Sequence, residues 1–198
     1  MKRILLFWCL ILPLAGSAQL LDSLSLDTMT ACTSIQEALK DSNGVIKLDL
    51  SKQKLSEFPK ELRKLTSLQY LDLSKNKITD IPPWIGELKD LQVLILFKNK
   101  IDSLRSQIGE LSHLKYLDLN RTDLEKLPHT IGKLKELQIL NLWSDDISGY
   151  PFELKYLADN LKTLDLRDVL VNGASQEFLK AILPNTTIYF SPICPCER

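Results

Sequence analysis

Of the 198 residues, 44% are hydrophobic and 25% charged, and Lys plus Arg equals Asp plus Glu at 25 each. That balance argues against a disordered chain, a polytopic membrane protein and an electrostatic binder of nucleic acid or other polyanions. Leucine is heavily over-used, 41 residues against seven glycines, and reliance on one residue type points to internal repetition.

The chain opens with Lys2 and Arg3, an apolar run from Ile4 to Leu14 broken only by Pro13, and the small residues Gly16-Ser17-Ala18. This is the order of a secretory signal, and an apolar run of about 11 residues is too short for the ~20 that span a bilayer. The expectation is a signal peptide over residues 1–18, Gln19 as the mature N-terminus, and an exported product (periplasmic, outer-surface or secreted) with no transmembrane segment. Cleavage would leave 23 basic against 25 acidic side chains and three cysteines, Cys32, Cys194 and Cys196. An odd count leaves at least one thiol unpaired or paired between molecules. Cys194-Pro195-Cys196 is C-x-C rather than C-x-x-C, which reads as a local cross-link or free thiols, not a redox site.

Residues 19–44 read as an N-terminal linker and cap. Residues 19–31 are rich in Ser, Asp and Thr, although Leu20, Leu21, Leu24 and Leu26 could dock as an extended segment. Thr33 to Lys40 carries an N-cap candidate, a capping-box Gln or Glu, and apolar residues at i and i+4, and Ser42-Asn43-Gly44 ends it. A short amphipathic helix covering the first repeat is expected, because a stack of repeats needs its open ends closed.

From residue 45 to 184 about six repeats follow. A shift of 23 residues aligns Leu68, Leu91, Leu114 and Leu137, with Val45 ahead of them and Leu161 one residue late. Each unit reads L-x-x-L-x-L-x-x-N-x-L, as in Leu68, Leu71, Leu73, Asn76 and Ile78. A second half, such as Leu127-Pro128-His129-Thr130-Ile131-Gly132-Lys133-Leu134, completes it. Leu71 and Leu73 are two apart and so share one face of a short strand. No single 23-residue unit can bury its apolar side chains, so the units must stack. Residues 185–198 hold a partial repeat, Thr187 to Phe190, and the Cys-Pro-Cys tail, with Ile188, Phe190 and Ile193 closing the far end.

These motifs resemble the leucine-rich repeat family, specifically its 23-residue class with an L-P-x-x-I-G-x-L second half, and are similar to exported bacterial members. The resemblance covers about residues 45–190. It implies an α/β fold: a right-handed solenoid, a horseshoe segment with a parallel β-sheet on its concave side and a short N-terminal cap helix. Six strand spacings of ~4.8 Å would hold Cys32 ~29 Å from the tail cysteines, well beyond disulfide reach.

Departures from the repeat are informative. The column whose amide satisfies backbone groups after each strand runs Gln53, Asn76, Asn99, Thr122, Asp145 and Val169, decaying along the chain. Pro59, Pro82, Pro128 and Pro151 mark the convex turn, but Arg105 stands in the third unit, where a local difference is expected. The fifth unit is one residue longer, and Ser175 to Leu183 reads as a helix.

No phosphate loop, H-E-x-x-H or G-x-S-x-G motif is present, and His113 and His129 fall in convex halves. Asp49, Asp72, Asp118 and Asp165 form a column that reads as solvated strand positions rather than a carboxylate pair for catalysis. No catalytic residue, metal ligand or cofactor is assigned. Asn120-Arg121-Thr122 and Asn185-Thr186-Thr187 match glycosylation sequons. Reading the outward strand positions places Tyr70, Val93, Ile95, Phe97, Tyr116, Ile139 and Trp143 in one patch flanked by Lys52, Lys75, Lys98 and Arg121. Apolar and aromatic residues at outward positions fit a partner site. They also fit sheet propensity alone, or cover by residues 19–31. The sequence reading is a non-enzymatic binder of a protein, peptide or glycan on the concave face, with no nucleic acid. The alternatives are an envelope or adhesion component assembled through its edges and cysteines, and a cytosolic signalling scaffold if the signal is not used.

Overall fold

A computed structural model describes residues 20–191, with Ser23 described by its backbone. Residues 1–18, where a signal peptide is expected, Gln19, Ile193 and the two tail cysteines lie outside the described residues. Strands β1 (Lys47–Asp49), β2 (Tyr70–Asp72), β3 (Val93–Ile95), β4 (Tyr116–Asp118), β5 (Ile139–Asn141), β6 (Thr163–Leu166) and β7 (Thr187–Phe190) form one parallel sheet in sequence order. The register follows the 23-residue shift: Tyr70 pairs with Val93, Val93 with Tyr116, and Tyr116 with Ile139. The extra residue of the fifth unit moves the next partner of Ile139 to Thr163.

The leucines pack inward. Leu48, Leu71, Leu94, Leu117, Leu140 and Leu164 form one fully buried column, and Leu50 to Leu166 a second beside it. The first five repeats each return through a short 3₁₀ helix, of which Pro83–Glu87, Ser106–Glu110 and His129–Lys133 are examples. Proline ahead of the turn presets its φ, and the amide of Ile85 donates to the Pro82 carbonyl at 3.0 Å. Arg105 overturns the expected local difference. Its φ of −71° and ψ of 152° match the −70° and 151° of Pro128, and its guanidinium pairs with Asp80 at 2.6 Å. An ion pair to the preceding repeat thus accompanies a dihedral that arginine adopts freely. Neighbouring turns approach closely at the I-G dipeptide. A Cβ at Gly109 or Gly132 would strike the backbone of the next turn, at Thr130 or Glu153, which accounts for glycine there.

The N-terminal end is closed as the sequence suggests, with one difference. Helix α2 (Ile35–Ala38) is capped by Ser34, whose hydroxyl accepts from the Glu37 amide, and continues as a 3₁₀ turn over Leu39–Asp41. Cys32 adds a one-residue bridge to β1 and is buried. Helix α3 (Gly173–Ile182), capped by Asn172, precedes β7. Where a linker is expected, Ser23–Thr28 instead forms helix α1, capped by Asp22, and lies against the outer face of the sheet. Among the described residues no helix is long and apolar enough to cross a membrane, and no cluster of His, Cys, Asp or Glu could hold a metal ion.

Candidate partner-binding face

Alternation along each three-residue strand sends two side chains outward for each one buried. All seven residues singled out from the sequence lie on this outer face and are half-buried. Tyr70, Val93, Ile95, Tyr116 and Ile139 line a cavity of about 370 Å³, together with Leu26, Asp27, Gln92, Lys115 and Gln138. Phe97 and Trp143 lie outside that lining, in the column just past the strands. Each is flanked by cations. Lys75 and Lys98 lie 5.6 and 5.2 Å from the Phe97 ring, and Arg121 and Arg167 lie 4.7 and 5.9 Å from that of Trp143. Lys75, Lys98 and Arg121 hold φ of 56°, 54° and 53°, so each chain leaves its strand through the left-handed region. The Trp143 indole also donates to Asp168 at 2.7 Å. The face therefore has an amphipathic cavity and, beside it, an aromatic column backed by cation–π contacts.

Only Asp49 and Asp72 of the aspartate column keep the solvent contact that the sequence reading expects. Asp49, Asp72, Asp118 and Asp165 each accept the amide two residues on, from Ser51, Ser74, Asn120 and Arg167, at 2.7 to 3.1 Å. Asp118 and Asp165 are only 9% and 8% exposed. These carboxylates close the turn that ends each strand. Burial pushes Asp118 above the ordinary carboxylate range. It also pushes Tyr70 and Tyr116 up to about 12, with the charge of Asp72 or Asp118 adding to the effect. Both phenols stay protonated; that of Tyr116 donates to Asp118 Oδ2 at 3.4 Å. The histidines are on the opposite, convex side, beside Glu136 and Glu153.

One polar column was missed. At the first x of L-x-x-L stand Gln69, Gln92, Lys115, Gln138 and Lys162. The Gln92 amide donates to Gln69 at 2.8 Å, Lys115 to Gln92 at 2.6 Å, and Lys162 to Gln138 at 3.2 Å. The 23-residue shift already aligned these amides and ammonium groups. The sequon at Asn120 is closed to modification in the folded chain, since Asn120 and Thr122 are buried.

Comparison with known proteins fits this geometry. The family descriptions "Leucine-rich repeat region" and "Leucine Rich repeats (2 copies)" match residues 98–173, and residues 43–86 and 66–113, respectively. The chain belongs to the leucine-rich repeat family. Among solved structures it is similar to a leucine-rich repeat protein of Leptospira interrogans, with 28% identity and a TM-score of 0.60 over 75% of this chain and 43% of that one. Internalin C2 of Listeria monocytogenes gives 28% identity and a TM-score of 0.67 over 77% and 64%. A plant peptide hormone receptor, RGFR1, in complex with RGF2, gives 32% and 0.63 over 74% and 24%. This chain thus spans less than two thirds of the length of each. No curated protein matches it. The leucine-rich repeat fold commonly mediates protein binding, and its members are typically non-enzymatic scaffolds.

Proposed function

We propose that this leucine-rich repeat chain is an exported, non-enzymatic binding protein that holds a protein, peptide or glycan partner on its concave sheet. The observation that carries the reading is the in-register run Tyr70, Val93, Tyr116 and Ile139, which continues into the cation-flanked rings of Phe97 and Trp143. Aromatic anchors with a charged rim are what a protein interface concentrates its binding energy in. The reading draws support from the receptor RGFR1, solved in complex with RGF2. Burial of Cys32 speaks against assembly through that thiol.

Phe97→Ala combined with Trp143→Ala is expected to leave the thermal transition in place and to weaken capture of the native partner at least tenfold, about 1.4 kcal/mol. Unchanged capture by the folded double variant would remove the site from this face. Export rests on the order of charges and apolar residues in residues 1–18 and predicts a mature chain beginning at Gln19. Mass analysis of the N-terminus from the native source checks it, and intact Met1 in the cytoplasm would refute it.

A further inference from the structure

The concave face is already occupied at one end by the chain itself. Leu26 of α1 is 1% exposed, whereas Leu24 on the same helix is 74% exposed, so Leu26 is the main apolar anchor of this helix. Around it the main chain meets side chains of the sheet. The Leu21 amide donates to Gln69 Oε1 at 2.8 Å, and Gln92 Nε2 donates to the Leu21 carbonyl at 2.9 Å. Lys47 Nζ donates to the carbonyls of Leu26 and Asp27 at 2.7 and 3.3 Å while lying 4.4 Å from the Tyr70 ring. Gln69 and Gln92 are completely buried as a result. Leu26 and Asp27 then form one wall of the cavity whose remaining lining comes from the sheet side.

We infer that α1 is a displaceable internal ligand of the concave face, and that the external partner is a peptide segment recognised through its main chain and a leucine-sized anchor. This rests on the reading that the concave face is where a partner binds. Two features make α1 displaceable. It has six residues, Ser, Leu, Ser, Leu, Asp and Thr in its sequence, far short of the ~12–15 that an isolated helix needs. It is also outside the repeat stack, in which each inner layer is held by layers on both sides. The partner's chemistry follows from what α1 satisfies. An apolar occupant would take the Leu21 carbonyl from Gln92 Nε2 and the carbonyls of Leu26 and Asp27 from Lys47 Nζ without replacing them, which is costly for covered donors. The donors therefore favour an occupant that brings carbonyls, as a peptide backbone does. The pocket that takes Leu26 adds a demand for one branched aliphatic side chain. The partner then extends along the cavity past Val93, Ile95 and Ile139 toward the exposed edge of Phe97.

The test uses the full chain and a synthetic peptide of residues 20–30 as the probe. In the unaltered chain the tethered segment competes at an effective concentration on the order of millimolar, so added peptide binds poorly. Leu26→Asp releases α1, and the peptide is expected to bind this variant at least tenfold more tightly than the unaltered chain. A peptide carrying Leu26→Ala should lose at least tenfold on the same variant. Equal affinity for both chains, or binding to neither, overturns the inference. Hydrogen exchange gives a second readout: the amides of α1 should exchange at least a hundredfold faster than those of β3. Equal protection, or loss of the cooperative unfolding of the repeats in Leu26→Asp, makes α1 a fixed cap and overturns it too. If the peptide fails while Phe97→Ala with Trp143→Ala still weakens the native partner, this inference falls and the proposed function stands. If the peptide binds and that double variant changes nothing, the native partner sits elsewhere.

Discussion

Leu94→Ala is expected to destabilise the protein by about 2–5 kcal/mol, the sum of lost transfer energy and the cavity left behind. Leu94 is fully buried in β3, between Leu71 and Leu117 of the adjacent strands. A repeat stack makes this worse than an average core deletion, because stability is the sum of each unit and its two interfaces, and Leu94 takes part in both. The comparison that decides is His113→Ala on the convex side. His113 is about a third exposed and faces Glu136 across the surface, where such pairs contribute ~0–1 kcal/mol. Denaturant unfolding of both variants checks the order. A smaller loss for Leu94→Ala than for His113→Ala would mean that the assigned register is wrong.

That register could be read before any coordinates because the two periods in the sequence are coupled. Spacing of two puts Leu71 and Leu73 on one face, and a spacing of 23 puts Leu71 beside Leu94. Both hold from β1 to β5, and beyond β5 the spacing becomes 24. The N-terminal short-range pattern was also legible, since capping by Ser34 depends on residues three apart, whereas the Asn172 cap, three residues ahead of the expected helix start at Ser175, was not read. Arg105 shows where the reading overreached. Proline favours the extended dihedral before the turn without being required for it, and the structure supplies an Asp80 partner from the previous repeat.

The face itself was only half legible. Outward positions identify Tyr70, Val93, Ile95, Phe97, Tyr116, Ile139 and Trp143, but not which of them share a cavity. The division depends on α1, and nothing in the spacing of Leu20, Leu21, Leu24 and Leu26 says which leucine is anchored. Tertiary contacts with Lys47, Gln69 and Gln92 decide it. Asp118 and Asp165 were misread for a related reason. A carboxylate that accepts an amide two residues along its own chain leaves the same sequence pattern as one facing water.

Asp145→Asn is expected to stabilise the protein by about 1–3 kcal/mol at pH 9, the usual cost of a buried polar group left without a partner, and by much less at pH 5. The reasoning starts from the column in which Asp145 stands. Asn99 uses its amide nitrogen to donate to the carbonyls of Leu73 and Leu96, at 3.0 and 2.7 Å, while its oxygen accepts from the Ile78 amide. Asn76 does the same one repeat earlier. Asp145 keeps only the accepting half, taking the amide and hydroxyl of Thr122 on Oδ1 at 2.8 and 2.9 Å, and its Oδ2 is buried without a partner. Burial pushes its pKa from 3.8 up to about 8, with the charges of Asp118 and Asp146 adding to the rise and the Thr122 hydrogen bonds opposing it. Between those two values the folded state holds a proton that the unfolded state releases. Stability from this group is therefore complete below pH ~4 and is lost as pH rises through about 8. An asparagine amide turned toward Leu119 and Leu142, the counterparts of Leu73 and Leu96, would supply the missing donor at every pH. Stability curves of the two proteins from pH 5 to pH 9 make the comparison. The wild-type curve should fall toward the alkaline side relative to the variant. Parallel curves would show that Asp145 titrates like an exposed carboxylate and that the amide column ends functionally at Asn99.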